Sequence, residues 1–108
     1  MNYKSSIMET EVKYSWVDPN AEFIDVTDYC IRKKGTHFET PGKYLFFGHK
    51  VVITHITPSG KRMMKNGKEA SFSKRYYGYY YDANGNEVHF EDMRPVNLKN
   101  KIDPNIRF

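Results

Sequence analysis

Residues 74–90 constrain the fold more than any other stretch: Lys-Arg-Tyr-Tyr-Gly-Tyr-Tyr-Tyr-Asp-Ala-Asn-Gly-Asn-Glu-Val-His-Phe. Five of the nine tyrosines stand within six consecutive positions, interrupted only by Gly78. A strand sends successive side chains to opposite faces. Tyr77, Tyr79 and Tyr81 then share one face, and Tyr76 and Tyr80 share the other, with Gly78 as a gap between them. A domain of 108 residues has one core, so one face is buried and the other presents rings with phenolic tips near water. The expectation is a recognition surface rather than a catalytic centre.

Charge along the chain is segregated. Residues 1–30 hold two Lys against six Asp or Glu, residues 31–81 hold eleven Lys or Arg against two Glu, and residues 82–108 hold four against five. A block of +9 in the middle of a chain with net charge +4 sets up a positive potential over part of the surface. It fits nucleic acid, anionic headgroups or an acidic protein surface. No apolar run approaches the roughly 20 residues of a membrane span. The opening residues contain no apolar core of a secretory signal, and the expectation is a cytoplasmic protein. Cys30, the only cysteine, excludes an intramolecular disulfide and a Cys-based zinc site, and reads as a small core residue.

The expected fold class is mainly β (α+β), an antiparallel meander or small barrel with one N-terminal helix, in a single domain over 1–108. Residues 1–16 read as an arm, with a short strand through Val12, Tyr14 and Trp16. Asp18-Pro19 reads as N-cap and first helical position. Phe23, Val26, Thr27, Cys30 and Ile31 follow at helical spacing, and Arg32, Lys33 and Lys34 complement the C-terminal dipole. These signals predict a helix over 19–34. The β-branched stretch Ile24 to Thr27 offers a competing strand. From Pro41 the period changes to two. Lys43–Phe47 and Lys50–Ile56 are followed by a turn at residues 57–60, a short strand from Arg62, and a hairpin signal at Asn66-Gly67. Glu69 to Ser73 leads into the tyrosine strand, Asp82 to Gly85 turns again, and a last strand ends before Pro95. The meander spans 41–96. The tail over 97–108, with isolated Leu98, Ile102, Ile106 and Phe108, reads as a packed appendage or a mobile end.

The segment 43–96 resembles SH3-like small β-barrels of the Tudor or KOW type. The matching pieces are Val51-Val52-Ile53, Tyr79 to Gly85, Val88-His89-Phe90 and Met93-Arg94-Pro95. The resemblance implies a non-enzymatic module that binds nucleic acid or peptide.

The chemistry suggested by the residues themselves is phosphate and base binding. Lys61, Arg62, Lys65 and Lys68 lie around two turns, and Lys74 and Arg75 run into Tyr77, Tyr79 and Tyr81. Cations neutralise phosphates, and aromatic faces stack on exposed bases. These nine residues form the expected nucleic-acid surface, with single-stranded nucleic acid or RNA as ligand. The alternative is an inhibitor or adaptor of phage-accessory type that docks on a host protein, since Tyr and Arg are enriched at interfaces. A tyrosine cage for a cationic ligand would draw on Asp82, Glu87, Glu91 and Asp92. A third class is a small ribonuclease-like enzyme using His55, His89, Arg75 and Tyr79. Nucleotide-binding and hydrolase motifs are absent, so no enzyme and no cofactor are expected. The histidines His37, His49, His55 and His89 have no metal-ligand spacing, and no metal is expected.

Overall fold

A computed structural model describes residues 16–108. Among them are β1 (Ile24–Asp25), α1 (Thr27–Lys33), β2 (Gly42–Phe46), β3 (His49–Thr57), β4 (Gly60–Met63), β5 (Glu69–Phe72), β6 (Arg75–Tyr81), β7 (Glu87–Met93) and α2 (Pro95–Ile102). The fold is mainly β, in the α+β class. Five strands form one sheet in the order β1-β2-β3-β6-β7, and β4 and β5 pair only with each other. The β1–β2 pairing is parallel, and the other pairings are antiparallel.

The sheet does not close, which corrects the barrel expectation. Closure needs the two edge strands to pair with each other. Here β1 is two residues long and β7 lies at the opposite edge. The meander itself is present. Phe47-Gly48 joins β2 to β3 as a two-residue turn with both residues at positive φ, 51° and 82°, the backbone that matches strand twist in hairpins.

The helix expected over 19–34 is also corrected. The Asp18 carboxylate accepts the Asn20 N–H at 2.9 Å, an Asx turn and not a helix start. Ile24 and Asp25 then pair with Tyr44 and Leu45, and the Val26 N–H donates to the Leu45 carbonyl at 2.9 Å. The β-branched preference prevails up to Val26, and the helix starts only at Thr27. It ends at Lys34, which takes the left-handed conformation (φ 58°) one residue before the expected Gly35. The strand considered at Val12 to Trp16, and the arm apart from Trp16, lie outside the described residues.

The core lies on one face of the sheet, under α1, the 34–41 connection and α2. Phe38 sits at its centre, with its ring 5.0 Å from Tyr44, 5.8 Å from Phe46 and 5.4 Å from Tyr76. Cys30 joins this cluster, and burial raises its thiol pKa. The tail packs. Pro95 ends the strand and opens α2 at its first turn, and Leu98, Ile102 and Ile106 are buried. Leu98 and Ile102, four residues apart, share one stripe of α2, and Ile106 packs from the turn beyond it. Among the described residues no helix is long and apolar enough to cross a membrane.

Candidate functional site: an aromatic groove on the open sheet face

The two faces of the tyrosine strand divide as the alternation predicts. On the core face Tyr76 is fully buried; its hydroxyl accepts from the Phe38 N–H at 3.1 Å and donates to the Thr36 carbonyl at 3.3 Å. Tyr80 packs against the core edge and donates to the Lys101 carbonyl at 3.2 Å. Gly78 faces the same way. A Cβ built there would stand 1.9 Å from the Val52 carbonyl oxygen, so no side chain fits between β6 and β3.

Tyr77, Tyr79 and Tyr81 are half-buried on the opposite face. Tyr77 stacks on His55 with centroids 4.3 Å apart and planes 15° apart. Tyr79 lies 4.9 Å from His89 and 5.9 Å from Tyr81. Burial, then nearby Asp92, raises the Tyr77 phenol, and burial, then Tyr81, raises that of Tyr79. Both stay protonated at neutral pH.

His55 reaches this face because the register slips. Ile53 pairs with Gly78, and His55 with Tyr77, so Thr54 is an extra residue on β3. The Thr54 hydroxyl donates to the Tyr77 carbonyl at 3.0 Å. Simple alternation groups His55 with Val51 and Ile53, and the bulge turns it over. There burial lowers the imidazole pKa, so it is neutral at pH 7. A second slip, between Tyr76 and Gly78, gives β7 its extra residue near Asp92, whose φ is 50°.

Beside Tyr79 and Tyr81 the open face forms a groove of about 1220 Å³. Val52, Thr54, Phe23 and Trp16 line it, and Lys43 and Lys50 add positive charge. Trp16 is 81% exposed. Lys43 Nζ lies 4.7 Å from the Phe23 ring centroid and donates to the Pro19 carbonyl at 2.9 Å. Lys50 Nζ lies 5.3 Å from the same ring. Among the described residues neither lysine has a carboxylate within ion-pair distance. Lys43 pairs with Val52, and Val52 with Tyr79, so three adjacent strands set cation, apolar floor and aromatic ring in one row.

Of the nine residues expected from the sequence, only Tyr79 and Tyr81 line this groove. Lys61, Arg62, Lys65 and Lys68 belong to the β4–β5 ribbon, which continues from the far end of β3 and β6. From Arg75 to Tyr81 the strand runs roughly 20 Å at the usual rise per residue, so the ribbon and the groove lie at opposite ends. Lys61 is 3.9 Å from Glu69, and the Arg62 guanidinium lies over the Phe72 ring at 5.1 Å. Lys65 and Lys68 are exposed at the tip. Lys74 is paired with Glu39 at 3.7 Å and Arg75 with Asp92 at 3.2 Å. His49 meets Asp103 at 3.3 Å and His89 meets Glu87 at 3.1 Å. No three His, Cys, Asp or Glu side chains converge as a metal site among the described residues. Phe23, Lys43 and Lys50 are among the groove residues that sequence reasoning missed.

Compared with known proteins, the chain matches no family model, no curated protein and no solved structure.

Proposed function

We propose that this chain is a small basic binding module that takes single-stranded nucleic acid, RNA foremost, into the groove on its open sheet face. The observation that carries the reading is the row Lys43, Val52, Tyr79, with Lys50 and Tyr81 beside it. Tyr79 and Tyr81 offer faces on which bases stack, each worth about 1–3 kcal/mol. Lys43 and Lys50, with no carboxylate within ion-pair distance among the described residues, meet phosphates. A groove this large suits a polymer segment better than a single small ligand, whose pockets run to about 1,000 Å³. Arg62, Lys65 and Lys68 on the ribbon are available to a longer strand. Lys61, Lys74 and Arg75 contribute less, because each already faces a carboxylate.

Fluorescence anisotropy with a labelled single-stranded RNA 12-mer, at two salt concentrations, tests this. Binding is expected at low salt, and affinity should fall steeply as salt rises. The Lys43→Ala/Lys50→Ala variant should reduce the salt slope by about 0.7 for each phosphate it no longer neutralises. Tyr79→Ala should weaken binding about tenfold at either salt. No binding at low salt, or binding indifferent to salt and to these substitutions, ends the proposal. The reading is of binding without turnover, so the RNA should be recovered intact on a gel. Capture of a protein from nuclease-treated lysate, with no RNA affinity, would favour the adaptor reading instead.

A further inference from the structure

A second cavity, of about 430 Å³, lies where the end of α1, the start of β6 and the start of α2 meet, and it shares no lining residue with the groove. We propose that it binds a phosphate monoester. Three independent features converge on it.

The first is the start of α2. Pro95 and Val96 line the cavity. Arg94 occupies the N-cap in extended conformation and makes no side-chain cap, and the first turn has no acidic residue. The Leu98 N–H is the first to find a carbonyl, that of Arg94. The N–H groups of Val96 and Asn97 therefore have no partner within the helix, and the positive end of its dipole is open to an anion.

The second is Thr36. It lines the cavity and is 4% exposed, and its hydroxyl has no hydrogen-bond partner among the described residues. A buried hydroxyl left unpaired is costly, and a phosphate oxygen would satisfy it. The third is charge. Lys34, Lys74 and Lys99 all line the cavity. Lys74 is 3.7 Å from Glu39, and Lys99 donates to the Ile106 carbonyl at 3.0 Å. Lys34 has no ion pair among the described residues. The site keeps a positive excess even with Glu39 counted. Two of the opposing carbonyls at the end of α1 are already engaged: Cys30 accepts from Gly35 and Ile31 from Lys34. Val96 and Phe108 give the cavity an apolar wall for the organic part of the ligand, and its volume falls in the range of small-molecule sites.

A free nucleotide and the 5′-phosphorylated end of a strand carry the same group. Calorimetric titration of the full chain with adenosine 5′-monophosphate, adenosine, and a pentanucleotide with and without a 5′-phosphate separates the two sources. Saturable binding of the monophosphate but not of adenosine is expected. Thr36→Val and Lys34→Asn should each weaken it about tenfold. Asparagine tolerates the left-handed conformation at position 34, so that variant keeps the fold even if Thr36→Val does not. The Lys43→Ala/Lys50→Ala variant should leave this affinity unchanged, which keeps the outcome separate from that of the groove. Binding of the phosphorylated pentanucleotide alone, weakened by the same two substitutions, supports the proposal with a strand end as ligand. Equal binding of adenosine, binding unaffected by Lys34→Asn, or no binding of any phosphate overturns it.

Discussion

Tyr76 shows how one side chain fixes the relation of sheet to connection. Its hydroxyl is held by the Phe38 N–H and the Thr36 carbonyl, both on the segment that carries Phe38 into the core. Replacement by Phe keeps the ring and leaves the Phe38 amide unsatisfied. Urea unfolding of Tyr76→Phe should show a loss of about 1–2 kcal/mol. Burial pushes this phenol up to about 12. Between the ordinary tyrosine value of about 10 and that raised value, the unfolded chain has lost the proton and the folded one still holds it. Stability is therefore complete below about pH 10 and falls as pH rises through the window, by on the order of 2 kcal/mol from this group. A urea midpoint that falls above pH 10, and falls less in Tyr76→Phe, checks the assignment. At this scale the sequence was informative about which tyrosines share a face. It was silent on His55, because a bulge at Thr54 leaves no mark in the local pattern.

At the scale of elements, Gly78 is the position where β6 passes closest to β3. Read along the sequence it was only a gap between rings. Across the sheet it lets the Val52 carbonyl approach to a distance that excludes any Cβ. Gly78→Ala should cost about 3 kcal/mol or more in urea unfolding, far above the usual penalty for an exposed strand residue. The strands and their turns were legible because Gly, Pro and Asn punctuate period-two runs. The first helix was half legible. Asp18-Pro19 imitates a helix start, and only the pairing of Ile24 and Asp25 with β2, twenty residues away in sequence, reveals that the chain is extended there. The groove was legible only on its tyrosine side. Lys43 and Lys50 face Tyr79 and Tyr81 through strand registers, which depend on the two-residue turn at Phe47-Gly48. The basic ribbon looked contiguous with the tyrosines in sequence, and the length of β6 separates them in space.

For the whole molecule, the last fourteen residues complete the core rather than decorate it. Leu98 is fully buried, and Ile102 and Ile106 nearly so, packed into the cluster around Phe38 and Tyr76. His49 and Asp103 join β3 to the end of α2 at 3.3 Å, and the Asn105 N–H, then His49, lowers the Asp103 carboxyl. Leu98→Ala should cost about 2–5 kcal/mol. Removal of residues 95–108 should abolish cooperative thermal unfolding and produce binding of a hydrophobic dye. The open sheet has a further consequence. Its two faces answer to different demands, one to packing and one to the groove. Substitutions at Tyr79, Tyr81, Lys43 and Lys50 leave the packing that holds Tyr76, Phe38 and Leu98 largely untouched, so their effects on unfolding should add nearly independently to those of core changes. A library randomised at those four positions should return mostly folded proteins. In evolutionary terms, the ligand can change hands while the scaffold stays as it is.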